Sequence, residues 1–139
     1  MRDTRTVSAE QNVELVRRSW DASLAADWPA VLATLHPDAE IRDFDVPDSD
    51  IGRGHDGFFV WLGRWNEGWE SWHVEDLELQ AVGDDPVIAL FLMVARGGRG
   101  GLELERRDAI AYRIEDGQIV YMAYFNDQAQ ALEAVRRAA

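Results

Sequence analysis

Residues 56–72 read DGFFVWLGRWNEGWESW and hold four of the chain's six tryptophans. Phe58, Trp61, Leu62, Trp65, Trp69 and Trp72 recur at spacings of three and four, which sets them along one side of a helix rather than alternately across a strand. A face of that size needs a large apolar cover. The ordinary account is core packing; the sharper one is that the rings also wall an apolar pocket. Gly63 and Gly68 fall inside the pattern and each weakens a helix by about 1 kcal/mol, so tertiary packing has to hold it.

On the N-terminal side, residues 1–7 are polar and predicted to fray. Ser8 and Gln11 have capping-box spacing, and Val13, Leu15, Val16, Trp20 and Leu24 then predict an amphipathic helix ending near Ala26. Asp27 suits the cap of a second, short helix with Pro29 in its first turn. That helix, carrying Val31, Leu32 and Leu35, is expected to stop at His36-Pro37, because the residue before a proline is pushed out of helical angles. Residues 39–45 read as a strand, and VPDSDIGRG (46–54) as a loop rich in turn residues.

On the C-terminal side the period becomes strand-like. Residues 73–82 alternate, and Gly83-Asp84-Asp85-Pro86 marks a turn. Residues 87–96 are nearly all apolar, as in a strand buried on both faces. Residues 97–101 form a glycine-rich hairpin loop, 102–114 alternate again, and Asp116-Gly117 is a tight-turn signal leading into a last strand over 118–125. Asp127 and Gln130 can box the start of a terminal helix whose Arg136 and Arg137 suit its negative end. This order predicts a single α+β domain over 9–139, with a flexible segment at 1–8 and a curved mixed sheet wrapped around the tryptophan helix.

Composition narrows the chemistry. At 139 residues the chain supports one domain with a real core. It has no cysteine, which excludes disulfides, thiolate nucleophiles and cysteine-ligated zinc. All fourteen basic residues are arginine, so lysine Schiff bases and pyridoxal phosphate attachment are excluded too. A formal charge of −12 disfavours nucleic acid and anionic membrane surfaces as partners. The opening MRDTRTVSAEQN lacks the apolar core of a signal peptide, and no apolar run approaches the roughly 20 residues of a spanning helix. A cytoplasmic address is the expectation.

Two strands place polar residues on an apolar face. Over 102–114 one face carries Leu102, Leu104, Arg106, Asp108, Ile110, Tyr112 and Ile114; the other carries Glu103, Glu105, Arg107, Ala109, Ala111 and Arg113. Arg106 and Asp108 are therefore predicted to point inward, where a charge must be paired or hydrogen-bonded. A structural ion pair at the sheet rim and a functional role both fit. In the first strand Ile41 and Asp43 share a face, which favours an inward Asp43. Asp45, Asp48 and Asp50 lack the spacing and central glycine of a calcium loop and read as a solvated acidic loop. His36, His55 and His73 form no metal-ligand pattern.

Three segments carry a family resemblance: NVELVRRSWDASLAADWPAVLATLHPDAEIRD, GRGHDGFFVWLGRW and YRIEDGQIVYMAYFND. Together they resemble the SnoaL-like branch of the nuclear transport factor 2-like superfamily, with polyketide cyclases, ketosteroid isomerase, limonene epoxide hydrolase and scytalone dehydratase. The resemblance runs over residues 12 to about 135 and implies a cone of curved sheet around a helix, with an apolar pocket at its mouth and a homodimer through the sheet. Against ketosteroid isomerase, Asp43 matches the general base. Ser19 and Trp20 stand where its first-helix tyrosine would be, and its protonated acid falls near Ile110, with Asp108 one inward position earlier. Against limonene epoxide hydrolase, the Arg-x-Asp pair falls near Glu103 and Glu105, while Arg106-x-Asp108 has the same spacing at a shifted position.

The resulting expectation is a cofactor-independent, metal-free acid-base enzyme of isomerase, cyclase, dehydratase or epoxide-hydrolase type acting on an apolar small molecule. Asp43, Asp108 and Arg106 are its catalytic candidates, and Trp20, Trp61, Trp65, Tyr112, Met122 and Tyr124 its substrate-binding ones. The alternative is a non-catalytic homodimeric domain that binds an apolar ligand or only associates.

Overall fold

Gly68 ends the tryptophan helix earlier than the aromatic spacing suggests. In the computed structural model, which describes residues 4–45, 50–83, 85–97 and 101–138, the order is α1 (Thr4–Leu24), α2 (Trp28–Thr34), β1 (Leu35–Asp43), β2 (Asp50–Arg53) and α3 (Gly54–Gly68). Then follow β3 (Ser71–Ala81), β4 (Val87–Arg96), β5 (Glu103–Glu115), β6 (Gln118–Phe125) and α4 (Gln128–Ala138). Trp69 is the extended residue that closes α3, and Trp72 belongs to β3. The two rings continue the helical spacing only by coincidence of sequence. Trp72 folds back, donating its indole N–H to Asn66 Oδ1 at 2.9 Å.

Other boundaries also move. Helix α1 already runs at Thr4, so Ser8 is an interior residue and not its cap, and residues 4–8 are helical where fraying was expected. Helix α2 is capped as expected, with Asp27 Oδ1 accepting from the Ala30 amide, but it stops at Thr34, before the His36-Pro37 pair. The Thr34 hydroxyl donates to the Val31 carbonyl at 2.7 Å, a bond that competes with the helical ladder. His36 and Pro37 instead lie in β1, within a register irregularity between Leu35 and Glu40, where a proline costs no ladder bond.

The segment read as a loop contains β2, which pairs antiparallel with β1. Two glycines allow α3 to follow so closely. Gly54 has φ +68°, and a Cβ there would stand 2.1 Å from the Pro37 carbonyl oxygen; one on Gly57 would stand 2.9 Å from the Gly52 carbonyl carbon. The stretch 46–49, including Asp48, lies outside the described residues, as do 1–3 of the expected flexible segment, Asp84 of the turn and 98–100 of the hairpin loop.

The six strands form one mixed sheet in the order β2-β1-β6-β5-β4-β3, with β1 and β6 parallel and the other pairs antiparallel. Its inner face meets α1, α2 and α3 in the main core, centred on residues such as Val16, Ile41, Phe91 and Tyr124. The outer face is covered only in part. Ala131 and Val135 of α4 pack on Ile88, Ala109, Ala111, Ala123 and Phe125, while Leu90, Leu92 and Val94 of β4 stay half-buried. Strand β4 is thus buried fully on one face alone. Among the described residues no helix is long and apolar enough to cross a membrane.

Candidate functional site

Between the three N-terminal helices and the inner face of the sheet lies a cavity of about 260 Å³. It is lined by Trp20 from α1, Trp28 from α2, Trp61 and Trp65 from α3 and Trp72 from β3, five of the six tryptophans. All six residues named as substrate-binding candidates, Trp20, Trp61, Trp65, Tyr112, Met122 and Tyr124, face it. Trp28, Phe91 and Met93 line it as well and were not singled out from sequence. The odd-numbered apolar residues of β4 were the available signal, since they share one face.

The catalytic candidates occupy a different layer. Asp43, Arg106 and Asp108 are absent from the lining, and among the described residues no charged side chain belongs to it. Asp43 is buried behind the α3 rings: its Oδ2 accepts from Trp61 Nε1 at 2.9 Å and from Trp65 Nε1 at 3.2 Å. Its other oxygen accepts from the Asp45 amide at 2.8 Å. Burial pushes its carboxyl pKa up, and the three donors oppose that rise.

Asp108 is fully buried behind Tyr124, whose hydroxyl donates to Asp108 Oδ2. Arg106 donates to the same carboxylate through Nε at 2.6 Å and Nη2 at 3.0 Å, as its inward position two residues away requires. It also reaches Asp45 Oδ2 at 3.2 Å, and Asn126 donates to Asp45 Oδ1 at 2.8 Å. Asp45 therefore anchors a polar network and is not a freely solvated loop acid. Burial drives the Tyr124 pKa well above the tyrosine range, with the charge of Asp108 adding to it, so the phenol stays protonated. The hydrogen bond to Asp108 raises the Arg106 pKa further.

The polar heads of the cavity's rings are thus mostly spent outward. Trp61 and Trp65 give theirs to Asp43, Tyr124 to Asp108, and Trp72 to Asn66. What faces the cavity is chiefly ring face and aliphatic side chain. Such a site binds by area burial and shape, the usual basis of small-molecule pockets.

A family model described as the SnoaL-like domain matches residues 16–122. Among solved structures, the chain is similar to a nuclear transport factor 2-like protein from Burkholderia thailandensis at 27% identity, covering 87% of this chain and 96% of that one, with a TM-score of 0.73. It is also similar to Bal32a, from a soil-derived mobile gene cassette, at 22% identity, with 91% and 97% covered and a TM-score of 0.74. A putative polyketide cyclase from Xanthomonas campestris pv. campestris aligns at 20% identity, with 92% and 98% covered and a TM-score of 0.71. No curated protein matches the chain.

Proposed function

The chain belongs to the SnoaL-like domain family, and from that premise we propose that it binds a small, largely apolar ring molecule in the aromatic cavity. The observation that carries this reading is the lining itself, with five tryptophans and, among the described residues, no charged side chain around about 260 Å³. That volume sits near the lower end of small-molecule sites, which run from about 300 to 1,000 Å³. It suits a compact ring system better than an extended chain.

A second reading, cofactor-independent acid-base catalysis, is favoured by one observation: Asp43 has a raised pKa and stands directly behind two rings of the cavity wall. With Trp61 swung aside, its carboxylate would take a proton from a carbon next to a ligand carbonyl and return it elsewhere on the ring. Arg106 and Asp108 would serve by holding Tyr124. Titration of the tryptophan fluorescence with uncharged bicyclic ketones and epoxides, followed by nuclear magnetic resonance for turnover, separates the two. Conversion lost in Asp43→Asn with binding retained supports catalysis. Binding without conversion leaves a binding domain, and no binding by any such compound sinks both.

We also propose a homodimer through the outer sheet face. The half-buried Leu90, Leu92 and Val94 support it, as an apolar strip beyond α4 flanked by Glu75 and Glu78 of β3 and Arg107 of β5. Sedimentation should give twice the chain mass, and Leu92→Glu should return it to the monomer.

A further inference from the structure

The aromatic wall turns its polar edges toward acids. Trp61 and Trp65 give their indole N–H groups to Asp43, and Tyr124 gives its hydroxyl to Asp108. The three rings adjoin, with Tyr124 standing 6.0 Å from Trp61 and 5.0 Å from Trp65 by centroids. The layer behind them is continuous as well: the Asp45 amide bonds Asp43, and Arg106 bridges Asp45 to Asp108. Among the described residues this layer therefore sets three carboxylates against one guanidinium and carries a net negative charge.

Two effects of this arrangement act in the same direction. The face of an aromatic ring is the negative pole of its quadrupole, and the N–H or O–H sits on the positive edge. A donor bonded to a carboxylate polarises its ring further, which makes the face more negative. The space in front of the wall is thus at negative potential, although no charged side chain among the described residues lines it. We propose that the cavity selects a cationic ligand, an apolar ring bearing an alkylated ammonium, held over the faces of Trp61, Trp65 and Tyr124. This rests on the binding reading above and narrows it. Alkylation follows from the same lining. A primary ammonium brings three N–H donors that need acceptors, whereas methyl groups need only apolar contact and leave the charge to the ring faces. An anion would be repelled by the ring faces and by the carboxylates behind them. The formal charge of −12 favours the same choice at long range, since it raises the concentration of cations around the molecule.

Three probes of nearly equal shape test this: tert-butylbenzene, its cationic isostere phenyltrimethylammonium, and the anion benzenesulfonate. Each is titrated against the tryptophan fluorescence of wild type and Asp43→Asn. In wild type the cation should bind about tenfold tighter than the hydrocarbon, the ratio expected of a desolvated cation–π contact, and the sulfonate should bind worst. Asp43→Asn keeps an acceptor for the indoles and removes one negative charge, so that ratio should fall to about threefold. The N-methyl proton resonance of the bound cation should move upfield, as it does for protons held over ring faces. Binding should also persist in high salt, which screens exposed charge pairs. These readouts on wild type decide the matter even if the variant fails to fold. A cation bound no tighter than the hydrocarbon, an unmoved methyl resonance, binding abolished by salt, or a ratio unchanged in Asp43→Asn overturns the cation preference. Binding of tert-butylbenzene in any of those cases leaves the cavity reading intact. Failure of all three probes to bind removes the cavity reading and the preference with it.

Discussion

The Trp61 indole N–H donates to Asp43 Oδ2 at 2.9 Å, and Trp65 shares the same oxygen at 3.2 Å. One carboxylate on β1 thereby fixes the rotation of two rings on α3. Asp43→Ala removes the acceptor and leaves both buried donors unmet, at a cost of about 2–4 kcal/mol. Urea unfolding should register that loss, and near-ultraviolet circular dichroism should show altered tryptophan packing. A variant as stable as wild type would mean the rings do not depend on Asp43.

The same residue sets a pH dependence. Burial raises the folded pKa of Asp43 above the ordinary aspartate value of 3.8, so between the two values the folded state holds a proton that the unfolded state has lost. The contribution is fully present below the unfolded pKa and is lost as pH rises through the folded one. Wild type should therefore lose stability relative to Asp43→Asn as pH climbs from about 4 toward neutrality. Parallel denaturation curves at several pH values check this. A stability gap that stays flat, or that moves in favour of wild type, would contradict the raised pKa.

How much of this arrangement was legible in the sequence depends on the period of each element. Strand alternation placed Asp43, Arg106 and Asp108 inward, and all three lie with their carboxylate or guanidinium groups in the inner layer. Alternation reports a face and nothing about depth, so it could not tell that Asp43 and Asp108 stand behind Trp61 and Tyr124 and outside the cavity wall. Helical spacing found the tryptophan cluster but overran its end, because Trp72 returns to the same cavity from β3 and packs 6.4 Å from Trp65 by ring centroids. Strand β2 escaped notice because four residues with a glycine are too few to show a period. Asp45 looked solvated because its partners, Arg106 and Asn126, are 61 and 81 positions away.

Arg106 protects a buried charge. Asp108 is fully buried, and the guanidinium supplies two of its hydrogen bonds. Arg106→Leu would leave that carboxylate without its counter-charge, and breaking such a buried pair costs about 3–5 kcal/mol. Adding Asp108→Asn removes the uncompensated charge, so the double variant should recover part of the loss. A double-mutant cycle in urea measures the coupling directly. Strict additivity of the two changes would show that the pair is not coupled.

Two glycines of α3 should respond to alanine in opposite directions. Gly63 has nothing within 4 Å of where a Cβ would stand, so Gly63→Ala gains helix propensity without a clash and should stabilise by about 0.5–1 kcal/mol. Gly54 has φ +68° and would place its Cβ 2.1 Å from the Pro37 carbonyl oxygen. That contact is with backbone, which cannot turn aside as a flexible side chain would. Relief requires the start of α3 to move away from β1, and because Trp61 and Trp65 are seated on Asp43 of that strand, the shift also strains both indole hydrogen bonds. Gly54→Ala should therefore lower the melting temperature and change the tryptophan fluorescence together, while Gly63→Ala raises the first and leaves the second alone. If Gly54→Ala left both unchanged, the close seating of α3 on β1 would not be what orients the cavity wall.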